Sequence, residues 1–180
     1  MSTVSPRPAM PAFDLGAVFD EHFDYVWGTL RRLGVRDADL EDLVHEVFLK
    51  IHARSADYDP TRPIRPWLFG FAYRVAADYR RLARHRLEVL HVPIEIADPQ
   101  TRADERLAEG EDRALLMAAL DTVDIDRRAV LVLHDIDGVP IPEVAAALGV
   151  PLNTAYSRLR IARGEFTAAA KRLRRARGER

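Results

Sequence analysis

The chain has 180 residues, 48% hydrophobic and 31% charged, enough for one medium domain or two small ones. It contains no cysteine, which excludes disulfides and thiolate metal sites and fits a reducing compartment; no apolar run approaches the ~20 residues of a membrane span. The net charge of −1 hides a separation: nine acids from Asp14 to Glu46 stand against Arg31, Arg32 and Arg36, nine from Glu95 to Asp124 against Arg102, Arg106 and Arg113, and nine basic residues from Tyr156 to Arg180 against Glu165 and Glu179. Basic blocks at defined places fit local polyanion contact. They also fit solvated helix faces in an arginine-rich chain whose only lysines are Lys50 and Lys171, and composition does not separate the two.

Met1 to Ala12 is rich in Pro and Ser without an apolar h-region, so it reads as a disordered tail (residues 1–12) of a cytoplasmic protein, not a signal peptide. Phe19, Phe23, Val26, Trp27 and Leu30 form a helical stripe ended by Gly34. Leu40, Leu43, Val44, Val47 and Ile51 lie on one face of the next helix, with Asp39, Glu41, Asp42 and Glu46 in its first turns, where the dipole favours negative charge. From Ser55 to Pro66, the spacing of Pro60, Pro63 and Pro66 forbids a helix, and Pro66 can serve in the first turn of the helix that follows. That helix carries Leu68, Phe71, Val75, Tyr79 and Leu82 on one face, and a basic cluster of Arg74, Arg80, Arg81, Arg84 and Arg86. Val92 to Thr101, with Pro93 and Pro99 and no periodicity, marks a flexible linker. Leu107 to Leu120 and Ile125 to Ile136 then read as helices, followed by an Asp137-Gly138 turn, Pro142 to Leu148, Gly149 and a helix from about Thr154 to Arg175. No segment alternates with period two, so the expected class is all-α: two small helical domains joined by a flexible linker.

The segment from Pro142 to Leu159 has the pattern of a helix-turn-helix. Ala145 is small where two helices cross, and Gly149 can take the left-handed conformation that ends the first of them. Asn153 suits an N-cap of the second, with a value of ~1 kcal/mol. The exposed face is expected to present Asn153, Thr154, Tyr156, Ser157, Arg158 and Arg160. Arginine can grip guanine and asparagine adenine through paired hydrogen bonds, while Ser and Thr reach bases or phosphates. A helical hairpin with a glycine C-cap has the same spacing; the basic tail tips the balance towards DNA.

At these residues the chain resembles the sigma-70 family of bacterial RNA polymerase, specifically the extracytoplasmic-function (ECF, group 4) sigma factors. Gly138 to Arg163 is similar to region 4, and Leu40-Glu41-Asp42-Leu43-Val44-His45-Glu46-Val47-Phe48-Leu49-Lys50 to the core-binding segment of region 2. Arg65 to Ala72 resembles the start of the region that follows. Departures from the family pattern, Ile141-Pro142, Tyr156, Ile161, Tyr73-Arg74 and His45, bear on promoter sequence and not on class.

The resemblance implies a sigma-2-like domain over residues 13–88, a linker over 89–106 and a sigma-4-like domain over 107–178. It implies core polymerase binding through Asp39, Asp42, Leu43, His45, Glu46 and Lys50, with the clamp helices of the largest subunit and the flap as partners. The −10 element would be opened and read by Asp57, Tyr58, Asp59, Arg62, Arg65, Trp67, Arg74, Arg80, Arg81 and Arg84. The −35 duplex would be read by Asn153, Thr154, Tyr156, Ser157, Arg158, Arg160 and Arg163. An anti-sigma factor is a common partner in the family, and the free chain is expected to be a monomer. The acidic run from Glu95 to Asp112 would imitate nucleic acid in a polymerase channel or act as a solvated tether.

No catalytic residue, cofactor or metal is expected. His22, His45, His52, His85, His91 and His134 form no tight ligand spacing. Asp135-Ile136-Asp137-Gly138 lacks the remaining ligands of a calcium loop, and no glycine-rich phosphate loop or nucleophile elbow is present. A conventional helix-turn-helix regulator would carry a ligand pocket or dimer interface in place of the acidic helix. A helical interaction protein, such as a sigma mimic, would carry a degraded recognition helix.

Overall fold

The computed structural model describes residues 13–90 and 107–178, and among these the chain is helical without strands. Seven helices follow in order: α1 (Leu15–Arg32), α2 (Leu40–Ala53), α3 (Ile64–Leu90), α4 (Leu107–Asp121), α5 (Ile125–Leu131), α6 (Ile141–Leu148) and α7 (Leu152–Ala176). The expected tail and nearly all of the expected linker lie outside the described residues, and α3 runs to Leu90, past the expected boundary at 88.

Local chemistry sets the helix ends. Asp14 caps α1 by accepting from the Ala17 N–H at 3.2 Å, and Gly34, at φ 91°, turns the chain out of it. Glu41 and Asp42 occupy the first turn of α2. Pro66 falls in the first turn of α3, where a missing N–H costs no helical bond. The segment expected as one helix from Ile125 to Ile136 changes winding instead: Val132–Ile136 is a π-helical turn. There the Asp137 N–H reaches the Val132 carbonyl at 3.0 Å, and Gly138, at φ 74°, releases the chain.

Gly149 takes the left-handed conformation at φ 68° after α6, and the Val150 N–H returns to the Ala145 carbonyl at 3.0 Å. Helix α7 starts earlier than expected. Pro151 is its N-cap, with no side chain that could accept a capping bond, and Asn153 is already inside the first turn. The extended backbone of Pro151 is what sets the start: its carbonyl accepts from the Ala155 N–H at 3.1 Å.

Helices α1, α2 and α3 bury Val26, Leu30, Val44, Val47, Ile51, Leu68, Phe69 and Val75. Helices α4 to α7 bury Leu120, Val130, Leu133, Val144, Leu148, Ala155, Leu159 and Ala162. Each buried Val, Leu, Ile or Phe side chain among them contributes ~1.5–3 kcal/mol. The two sets join in one hydrophobic cluster. Gly70 on α3 makes the join possible. A Cβ there would stand 2.7 Å from the carbonyl oxygen of Ala147 on α6, so the helices meet backbone to backbone. Phe69 is fully buried in this core.

Candidate polymerase and nucleic-acid interfaces

The first patch is on α2. Periodicity that sends Val44, Val47 and Phe48 inward leaves Leu49 69% exposed beside Asp42, His45 and Lys50. Glu46 pairs with Lys50 at 2.9 Å, four residues on. His45 lies over Phe19 and donates from Nδ1 to the Glu41 carbonyl at 2.9 Å. Leu43 is half-buried. Asp39 is set apart from this patch. It accepts from Tyr79 of α3 at 2.6 Å and from Arg36 at 2.9 Å, which anchors the start of α2 to α3. Leu49 is thus an apolar side chain exposed among alternating charges. The place of Leu49 opposite the buried stripe is readable from the helical period alone.

The second patch is the loop from Arg54 to Pro63 with the face of α3 behind it. Asp59 organises the loop, accepting from the Thr61 N–H at 3.0 Å and from its hydroxyl at 2.7 Å, which holds the Asp59 carboxyl below its ordinary value. Asp57 pairs with Arg54, and the Tyr58 hydroxyl donates to the Arg62 carbonyl at 2.9 Å. Tyr58 and Trp67 face each other with ring centres 5.0 Å apart, and Phe13 closes edge-on against both. A cleft of about 340 Å³ opens here, walled by Tyr58, Arg62 and Trp67 on one side and by Glu143, Ala146 and Ala147 of α6 on the other.

The basic cluster of α3 divides. Arg74, Arg81 and Arg84 are exposed, with Arg81 paired to Asp78 at 3.1 Å. Arg80 turns away from them and donates to the Leu33 carbonyl at 3.4 Å, so the structure does not bring it into the outward set. Arg65 lies over the Tyr25 ring, 5.3 Å from its centre.

The third patch is the first turns of α7, the second helix of the helix-turn-helix pattern. Asn153, Tyr156, Ser157 and Arg160 are exposed on α7, Tyr156 by 53%. Thr154 is half-buried. Arg163 clasps Asp135 with two bonds of 2.6 and 2.8 Å, a fork that lowers the carboxyl's proton affinity. Arg158 departs from the expected exposed face. Two residues past Tyr156 is a rotation of ~200° at 3.6 residues per turn, which sets Arg158 beside the buried Ala155 and Ala162. Its Nη2 donates to Asp126 of α5 at 2.6 Å.

Arg128 of α5 is completely buried, bonded to Asp121 at 2.8 Å and to the Val123 carbonyl. Burial, followed by the charge of Arg80, pulls its proton affinity down to about 10. Among the described residues no group of three or more His, Asp or Glu side chains could hold a metal ion, and no helix is long and apolar enough to cross a membrane.

Comparison with known proteins matches residues 18–86 to the family described as Sigma-70 region 2, and residues 113–165 to Sigma-70, region 4. The chain is 36% identical over 160 residues to the ECF RNA polymerase sigma factor SigE of Mycolicibacterium smegmatis, covering 85% of this chain and 59% of that protein's length. It is 31% identical over 163 residues to the ECF RNA polymerase sigma factor SigL of Mycobacterium tuberculosis, covering 90% of this chain and 92% of SigL. The solved structure of CnrH in complex with the cytosolic domain of CnrY is similar at TM-score 0.58 and 27% identity, over 86% of this chain and 85% of that one. On the two matched regions, in order, and on the likeness to SigL over nine-tenths of this chain, the chain belongs to the ECF RNA polymerase sigma factors of the sigma-70 family.

Proposed function

We propose that this sigma factor binds core RNA polymerase through the α2 patch and reads both promoter elements with its two halves. Residues 13–88 would be the core-binding and −10 domain, and residues 107–178 the −35 domain. In this reading Leu49 inserts between polymerase clamp helices while Asp42 and Glu46 meet basic side chains there. The loop around Tyr58 and Trp67 holds an unstacked −10 base, and Arg74, Arg81 and Arg84 attract the separated strand. The outward face of α7 enters the major groove of the −35 duplex. The protein would work in the cytoplasm as a transcription factor subunit and not as an enzyme. Two sigma factors of similar fold have been solved with partners, CnrH with CnrY and RpoE of Bartonella quintana with the anti-sigma factor NepR; an anti-sigma partner is proposed here too.

The observation that carries the reading is the co-occurrence of two patches in one chain: a polar helix with an exposed Leu49, and a helix-turn-helix with Asn153, Tyr156, Ser157 and Arg160 outward. A regulator that works without polymerase gives no reason for the first. The test is in vitro transcription with purified core polymerase and a random promoter library. Runoff product confined to promoters with shared −35 and −10 sequences is expected; template-independent or absent product overturns it.

A further inference from the structure

We infer that the cleft between the loop from Arg54 to Pro63 and helix α6 is a binding site for a small monovalent organic cation of the quaternary ammonium class. This goes beyond promoter reading and stands on the cleft alone.

One wall is aromatic. The ring centres of Tyr58 and Trp67 are 5.0 Å apart, and Phe13 stands edge-on to them at 5.9 and 5.8 Å. The opposite wall is one face of α6, where Glu143, Ala146 and Ala147 follow at helical spacing. The two alanines are too small to fill the space between. A cleft of about 340 Å³ stays open, a size that suits a small molecule. The walls keep their spacing because Gly70 of α3 meets the Ala147 carbonyl. Trp67 lies one turn before Gly70, and Glu143 one turn before Ala147.

The charges select the occupant. Asp57 is paired with Arg54, and Arg62 with Asp59 at 3.5 Å. Glu143 is exposed, and its carboxylate has no hydrogen-bond or ion-pair partner among the described residues. The cleft thus holds one unanswered negative charge opposite aromatic rings. An anion is repelled there. A neutral apolar guest takes water from the Glu143 carboxylate and returns no partner. A metal ion lacks ligands, since among the described residues no group of three or more His, Asp or Glu side chains could hold one. A quaternary ammonium group satisfies both walls. Its charge meets the carboxylate, and its methyl groups lie on the rings, whose electron-rich faces attract a cation within about 6 Å. Walls on two sides fit a freely diffusing molecule and not a charged surface.

The probe is choline chloride, titrated into the full chain with sodium chloride exchanged to hold ionic strength constant. The readout is the indole N–H signals of the two tryptophans in proton–nitrogen correlation spectra. Trp67 lines the cleft, whereas Trp27 of α1 is not in its walls and serves as the internal reference. Trp67 is expected to shift saturably with a millimolar Kd while Trp27 stays in place. Dimethylbutanol, the uncharged carbon isostere of choline, should bind about tenfold more weakly or not at all. Glu143→Gln, at an exposed position that leaves the fold intact, should weaken choline by about threefold. Tyr58→Leu should weaken it by about tenfold, and Tyr58→Phe, which keeps the ring, should retain it. The inference is overturned by an absent or non-saturable Trp67 shift, or by an equal shift of Trp27. It is overturned as well by equal affinity for the uncharged isostere, or by unchanged choline affinity in both Glu143→Gln and Tyr58→Leu.

Discussion

Arg158 and Asp126 are joined at 2.6 Å, and the other oxygen of Asp126 accepts from Tyr73. Arg158, the α7 arginine proposed for the −35 element on its family match, is thus directed into the protein. Arg160, two residues on, is exposed. In the holoenzyme, Arg160→Ala is therefore expected to act on DNA more than Arg158→Ala does. If Arg160 grips a base, its loss costs ~1–3 kcal/mol at one position; if it holds a phosphate, the log–log salt slope falls by ~0.9. Titration of −35 variants at several salt concentrations measures both, and equal or larger losses for Arg158→Ala reverse the ranking.

The helices of this fold were legible because their apolar spacing is strong: Val44, Val47 and Ile51 are buried as their period requires. The start of α7 was less so. A preference for Asn at N-caps pointed to Asn153, but Pro151 sets the boundary through backbone conformation alone. The inward course of Arg158 was available from ~100° per residue; selecting residues by chemistry instead of angle hid it. The meeting of Gly70 with Ala147 joins segments far apart in sequence, and no local pattern encodes it.

The α2 patch should tolerate no charge reversal. Asp42→Arg with Glu46→Arg is expected to abolish co-purification with core polymerase while leaving the circular dichroism helical, because neither side chain is in the buried stripe. Cutting one member of a desolvated interfacial charge pair costs ~2–5 kcal/mol, whereas rim pairs matter little. Leu49→Asp should behave the same way. Wild-type affinity in either variant removes α2 from the polymerase interface.

Tyr73 gives the fold an alkaline limit. Burial, then the hydrogen bond and charge of Asp126, push its proton affinity up to about 12. Burial and Asp137 raise Tyr25 as well. A folded value above the unfolded one near 10 means that the stabilisation is complete below about pH 10 and is lost as pH rises through about 12. Melting temperatures measured across this range should fall in the wild type. The fall should be smaller in Tyr25→Phe with Tyr73→Phe, which has no phenol to ionise beside Asp137 or Asp126. An identical fall assigns the alkaline loss to other groups.

Tyr156 separates base reading from phosphate binding. It stands 53% exposed on the outward face of α7, among Asn153, Ser157 and Arg160. Its ring can meet a thymine methyl and its hydroxyl can make one hydrogen bond, but it carries no charge to release counterions. Tyr156→Ala is therefore expected to change preference at one or two −35 base pairs and leave the salt slope nearly intact. Tyr156→Lys should do the reverse, steepening the slope by ~0.9 while relaxing that preference. Binding of the holoenzyme to a −35 substitution series, repeated at several salt concentrations, distinguishes these outcomes. If every −35 preference survives Tyr156→Ala, base reading falls to Asn153 and Arg160, the polar residues that share its face.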